Sequence, residues 1–560
     1  EGYSNQGGEM TGRTRILGAT LLVLALAFAA FGVVACGSSE SGGGSGGSPS
    51  ASAGRHSGGV LSMVASAEPA GLDPFVNWNF QDYAVFLQIV EAPYKCPTNP
   101  DTKQPELVPN LAQDMPTLSN GGKTMTFKLR QGVMFQPPVS REVTAQDVKW
   151  SLESMLSNPN CPGTSYYSNI VGAQDLVDGK AKELRGVKAV DKYTVQVDLV
   201  QPDPAAPYLF SLQFASVIPK EWVEKWGPKE IGQHPLGTGP YMLDSWNKGQ
   251  EIVLKKNPGY WGTAYLDGAR IKYNVTPQTQ ELMVKSGDAD VTLDNVPSAD
   301  LPAIKADPQW GKQVAEGPGA GVIYMYLNTK MAPFDNVDVR NAVAWAIDRE
   351  KLVKLLGGLA IPSYQFLPEG IRGRDANQTW GGYDPAKAKD LLAKSGNTNL
   401  STTIWAYAED PYPTIFESIQ NDLKAIGIDA TLKTMAKEQF VSYRVKPGKT
   451  PAGTFGWFMD FPDPTTWFDS PWTKAGISPT GYNPAFYADP SVEKALEAAK
   501  AEVDPAARDE KFRGVQEIGM ADMPYVPLYQ PSVAQLVNPR VGLFFPSQFL
   551  VLQVQDYWLK

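Results

Sequence analysis

The residues with the clearest chemical potential lie in one phrase, Trp457-Phe458-Met459-Asp460-Phe461-Pro462-Asp463-Pro464, which sets two carboxylates among aromatic rings. The stretch is too rich in proline for a helix interior. A carboxylate partly walled by aromatics pairs strongly with an ammonium group, such as the α-amino terminus of a peptide. The same residues also suit turns, in which Asp460 and Asp463 would only cap the backbone. A third reading makes them the paired carboxylates of an exported glycosidase. Such pairs usually come from separate elements flanking a bond, about 5 to 9.5 Å apart, whereas these stand on one irregular segment. Other catalytic kits are missing from the sequence. Its histidines are His56 and His234, no thiol and histidine form a plausible pair, and there is no Gly-x-Ser-x-Gly elbow. A Gly-rich loop ending in Gly-Lys-Ser or Gly-Lys-Thr is also missing. Enzyme activity, a metal and a cofactor are therefore not expected.

The first residues concern delivery. Arg13 and Arg15 precede an apolar run from Ile16 to Phe31, then Val33-Val34-Ala35-Cys36 and a Gly/Ser tract reaching Gly59. Met10 suits a start, with residues 1–9 as upstream sequence. The order resembles the lipobox of bacterial lipoproteins, in which the chain is cut before the cysteine and the thiol is diacylated. By that resemblance residues 1–35 are a signal peptide, Cys36 is the lipidated first residue, and 36–57 is a flexible leash. The alternative is an uncleaved anchor, because about 20 apolar residues span a bilayer.

About 500 residues remain, more than one core holds, so two or three lobes are expected. A net charge of −9 without basic blocks argues against nucleic acid as partner. Cys96 and Cys161 are the other thiols, and an exported chain meets an oxidising compartment. A disulfide between them is expected, closing a loop of about 65 residues that would stabilise by roughly 4 kcal/mol. The alternative is two separate buried thiols.

Several helices announce their ends. Thr144 to Asp147 suits an N-terminus, and Asp384-Pro385, Asp489-Pro490 and Asp504-Pro505 each place a capping carboxylate before a first-turn proline. Val339 to Val353 has one helical period stopped at Gly357-Gly358, and Ile415 to Ile426 stops at Gly427. Thr124–Leu129, Tyr193–Leu199 and Ile428–Leu432 alternate as strands. The mixture predicts α/β lobes.

Four groups of phrases, in order, carry a resemblance. They are Leu107-Val108-Pro109-Asn110-Leu111-Ala112 with Thr126 to Phe135; Gly237-Thr238-Gly239-Pro240-Tyr241 with Lys256 to Gly262; Asn328 with Pro333 to Asp335 and Val339 to Arg349; and Tyr383-Asp384-Pro385 with Pro524 to Tyr529. Together they resemble the family 5 solute-binding proteins of ABC importers, which carry dipeptides, oligopeptides and nickel. The resemblance implies an α/β, two-lobed periplasmic-binding-protein fold (type II, large, cluster C-like) with an extra domain inserted in lobe one. Lobe one would comprise 58–93, 214–320 and 526–560, the insertion 94–213, and lobe two 321–525. Crossings near Gly317 to Gly321 and near Tyr525 would form the hinge. By resemblance Asp460, two residues after a Gly-Trp-x phrase, would grip a peptide's amino terminus. Trp457, Trp405, Tyr407, Trp78 and Asn79 would line the cleft, and Arg372 and Arg374 are candidates for the carboxylate end. The glycines of Gly237-Thr238-Gly239 read as a turn, and Arg130 as the partner of a carboxylate. The implied function is extracytoplasmic capture of short peptides by a monomeric lipoprotein tethered to the membrane, which hands them to ABC permease subunits. Nickel chelates, oligosaccharides, opines and glutathione are alternative cargoes, and a sensor or chaperone using the same cleft is a further class.

Overall fold

The computed structural model describes residues 55–99, 104–397, 400–479, 481–542, 544 and 552–560. The leader, Cys36 and most of the leash lie outside them. No helix among the described residues is long and apolar enough to cross a membrane.

Two main sheets organise the chain, and each has its own apolar core. The first has the order Val291–Thr292, Val60–Val64, Gly268–Lys272, Glu251–Lys256, Tyr241–Asn247. Val60–Val64 runs parallel to both neighbours, and the last two strands form a hairpin. The second sheet is built around Gly321–Leu327, whose residues are all buried. That strand pairs antiparallel with Ala452–Phe458 on one side and Tyr525–Leu536 on the other. Leu400–Tyr407 and Ile428–Met435 extend this sheet in parallel, the latter following helix Tyr412–Ala425 directly. A third sheet joins Thr117–Ser119, Thr124–Lys128, Thr194–Asp198 and Val187–Ala189, and its apolar side chains merge with the core of the first.

The expected helix caps are present. Asp384, Asp489 and Asp504 accept from backbone N–H groups of the helices they precede, each with proline in the first turn. The helical period from Val339 to Val353 is two helices, Val337–Ala346 and Arg349–Leu355. Ile347 is extended between them, and Asp348 caps the second by accepting from Lys351 N. A capping residue inside a periodic run outweighs the period.

Two strands run between the main sheets. Val314–Pro318 pairs with Ser532–Leu536, and one step later Gly321–Leu327 pairs with the Tyr525–Tyr529 part of the same long strand. Tyr525, where the sequence placed the second crossing, lies inside the larger sheet, and the change of partner falls at Pro531. There Gly319 N donates to the Pro531 carbonyl at 2.6 Å, and Gln530 Nε2 donates to the Gly319 carbonyl at 2.9 Å. A Cβ on Gly319 would sit 2.7 Å from the Pro531 oxygen, so only glycine permits this approach.

The expected disulfide is not formed. Both thiols are free: Cys96 Sγ lies 3.3 Å from Ser211 Oγ, while Cys161 is buried in the turn after helix Ala145–Leu156. The two face different surroundings. Burial pushes the Cys96 thiol up to about 12 and that of Cys161 up to about 11, so neither is a ready nucleophile in the folded chain. In denaturant without reductant, a maleimide is expected to label both, in addition to any label on Cys36. Mass spectrometry finding both unlabelled would restore the disulfide.

Candidate functional site

A cavity of about 650 Å³ opens between the main sheets, beside the crossing strands. Its position follows from strand register. Phe458, the last residue of Ala452–Phe458, pairs with Gly321, and Met459 N continues the ladder to the Ala320 carbonyl at 2.8 Å. The chain therefore leaves the larger sheet at the level of the crossing, and the next residue, Asp460, lines the cavity.

Asp460 is half-buried. Thr466 Oγ1 donates to its Oδ2 at 3.2 Å, and the nearby Tyr166 hydroxyl favours the charged form of the carboxylate. Burial pushes its carboxyl above the usual range, and these hydroxyls only partly offset that effect. No lysine or arginine among the described residues pairs with it. Burial and the Asp460 charge raise the phenols of Tyr83 and Tyr166, which line the same cavity and remain protonated. The site is an anionic group held by hydroxyls among aromatic rings.

From the first lobe, Trp78 and Asn79 reach the same cavity. Asn79 precedes helix Phe80–Phe86, and its N–H donates to Asp82 Oδ2 at 3.0 Å, which fixes the turn that presents both residues. Trp78 and Phe458 line the cavity yet are 42% and 50% exposed, so they stand at its mouth.

Other expected site residues are placed elsewhere. Trp457 packs its ring against Phe455 and Tyr482, and its neighbour Phe458 reaches the cavity instead. Trp405 stacks over Phe440 at 6.1 Å. Tyr407 is buried, accepts from Arg444 Nη1 at 3.0 Å and packs against Tyr412. Neither lines the cavity. Arg372 is paired with Asp509 at 2.9 Å and Arg374 with Glu369 at 3.8 Å, both away from it. The cations that line the cavity among the described residues are Lys95 and Lys437.

Asp463 is turned inward. Arg508 binds both its oxygens, at 2.6 and 2.8 Å, and Thr465 Oγ1 donates to it at 2.7 Å. The phrase Gly237-Thr238-Gly239 is structural as expected. Thr238 Oγ1 and Trp261 Nε1 donate to the buried Glu91 at 2.8 and 2.9 Å, and a Cβ on either glycine would come within 2.7 Å of the Ile89–Val90 backbone. Arg130 pairs with no carboxylate among the described residues. It donates to the Asn110 carbonyl at 2.7 Å and lies over the Trp261 ring. Tyr83, Tyr166, Phe461 and Gln213 line the cavity and carried no periodic or motif signal, apart from the place of Phe461 in the aspartate phrase.

Two lobes joined by crossing strands around a cavity define a ligand-trapping protein of the periplasmic-binding-protein fold. The pattern described as "Bacterial extracellular solute-binding proteins, family 5 Middle" matches residues 106–479, and the chain belongs to that family. It is 30% identical over 430 residues to a glutathione-binding protein of Salmonella typhi, a match covering 75% of this chain and 80% of that one. A di/tripeptide-binding protein of Pseudomonas aeruginosa is 27% identical over 506 residues, covering 87% and 92%. Among solved structures, the periplasmic binding protein DppA of Helicobacter pylori in complex with peptide STSA superposes with a TM-score of 0.72 at 25% identity. That match covers 90% of this chain and 98% of that one.

The Asp463–Arg508 pair anchors the segment that presents Asp460, and both side chains are almost fully buried. Arg508→Ala would leave a buried charge unpaired and is expected to lower the unfolding free energy by about 3–5 kcal/mol. A urea midpoint equal to the parent's would show that the pair does not hold the segment.

Proposed function

We propose that this protein captures short peptides with a free α-amino group outside the cytoplasm and delivers them to the permease of an ABC importer. One observation carries the reading: Asp460 is a half-buried carboxylate in an aromatic cavity, served by hydroxyls and by no basic side chain. An ammonium group supplies the charge that burial otherwise penalises. The family and its relatives that bind glutathione and di/tripeptides support a small peptide as cargo. Lys95 and Lys437 are the side chains suited to the peptide's carboxylate end. Lipidation at Cys36, with the Gly/Ser tract as a leash, would keep the trap beside its permease. The domain boundaries 58–93, 214–320, 94–213 and 321–525 fit this reading, with the last crossing moved to about residue 531. The reading as a hydrolase loses its pair, because Asp463 is bound by Arg508 and does not face the cavity.

Asp460→Asn is expected to weaken a free-amine peptide at least tenfold, about 1.4 kcal/mol, and to leave its N-acetylated form unaffected. Calorimetry showing equal affinity for the free-amine peptide would remove Asp460 from the site.

The pH dependence has a definite sign. Burial raises Asp460 in the empty cleft, whereas an adjacent ammonium lowers it, so the bound state holds fewer protons. Peptide affinity is therefore expected to fall, and proton release on binding to rise, as pH drops from neutral into the carboxyl range. Calorimetry in buffers of different ionisation enthalpy measures that release, and Asp460→Asn should abolish it. Equal release from the variant would assign the proton to another group.

A further inference from the structure

Residues 552–560 form a short segment laid against the first lobe. Leu552 and Val554 are buried in the apolar core of that lobe, with Tyr557 after them. Gln88, just past helix Phe80–Phe86 and fully buried, grips the backbone on either side of Gln553. Its Nε2 donates to the Leu552 carbonyl at 2.8 Å, and its Oε1 accepts from Val554 N at 3.3 Å. The Tyr241 hydroxyl adds a bond to the Val554 carbonyl at 3.4 Å. With residues 552 and 554 held inward, Gln553 and Gln555 are left to line the same cavity as Asp460.

Their carboxamides are joined, because Gln555 Nε2 donates to Gln553 Oε1 at 2.7 Å. A carboxamide carries two N–H donors and an oxygen that accepts twice. The single bond therefore leaves a donor nitrogen on Gln553 and an acceptor oxygen on Gln555, neither with a protein partner among the described residues. Gln555 is only 8% exposed, so a ligand group lying against it displaces the water that serves these atoms in the empty cavity. A ligand surface without matching groups would leave both unpaired, at more cost than one bond returns. The match for one donor beside one acceptor is an extended peptide residue, whose own N–H and carbonyl project to the same side.

We propose that Gln553 and Gln555 form an uncharged subsite that reads the backbone of one extended ligand residue, Gln553 Nε2 donating to its carbonyl and Gln555 Oε1 accepting from its N–H. This rests on the reading of the cargo as a peptide. The subsite lies outside residues 106–479, which match the family pattern, and it differs in kind from the charged side chains Asp460, Lys95 and Lys437. It is indifferent to ligand side chains and sensitive to loss of a backbone N–H.

The test uses the full chain, calorimetry, trialanine, and two analogues in which an ester oxygen replaces the N–H of the second or the third residue. The free amino group is the same in all three. In the parent protein, one ester is expected to bind about tenfold more weakly than trialanine. Gln555→Met keeps the size of the side chain and removes the acceptor. It is expected to weaken trialanine about tenfold and to leave that ester unchanged, so that the two bind alike. Gln553→Met removes the donor and is expected to weaken all three. A parent that binds both esters as tightly as trialanine would overturn the proposal, and that comparison needs no variant. Unchanged trialanine affinity in Gln555→Met would also overturn it, as would equal weakening of all three peptides by that variant, which marks a merely structural side chain. A parent that binds none of the three would sink the peptide reading together with the subsite, whereas N-acetylated trialanine binding as tightly as trialanine, with the ester effects intact, would sink only the role of Asp460.

Discussion

A carboxylate removed from water without a positive partner is unfavourable, and the cleft of this protein is arranged around one. Glu91 shows a partial remedy from neutral donors, and Asp463 the usual one from a cation. The first is held by Thr238, Trp261 and Tyr260, and the second by Arg508 and Thr465. Asp460 receives hydroxyls only. Those hydroxyls offset part of the desolvation, and a cationic group brought by a ligand would offset the rest. Three buried or half-buried acidic side chains thus have three different degrees of satisfaction, and the least satisfied lines the cavity where the two lobes meet.

Backbone geometry explains why it stands there. Ala452–Phe458 ends level with Gly321, and the ladder continues through Met459 to Ala320, next to the crossing at Gly319 and Pro531. Rotation of the lobes about these crossing strands would part the Phe461 ring from Tyr166 and Tyr208. A pivot made of paired strands suits rigid-body closure. A ligand that binds better in the shut form shifts the equilibrium toward it by its differential affinity, and no further device is needed.

Much of this architecture was legible in the sequence because it is written in local chemistry. Asp-Pro pairs mark three helix starts, and the family phrases announce both lobes. The aspartate phrase pointed to Asp460, and Trp78 and Asn79 were found with it. The misses have physical causes. Trp405 and Tyr407 lie on a predicted strand, but a strand's two faces cannot be assigned to core or cleft without its neighbours, and helix Lys437–Arg444 covers them through Phe440, Tyr443 and Arg444. Trp457 and Phe458 were separable only by knowing where the strand ends. The thiols of Cys96 and Cys161 are both free, and the sequence holds no signal of which neighbours, such as Ser211 for Cys96, each would meet. Tyr166 and Tyr208 meet Phe461 through contacts distant in sequence, which leave no pattern along the chain.

The central claim is that a ligand's ammonium group completes the Asp460 site. A crystal structure of the protein soaked with a short free-amine peptide tests it most directly. The expected result is the peptide's α-amino nitrogen about 2.7–2.9 Å from an Asp460 carboxylate oxygen, with Phe461 seated against Tyr166 and Tyr208. A peptide bound with its amino nitrogen in solvent, or with a group other than a cation against Asp460, would contradict it.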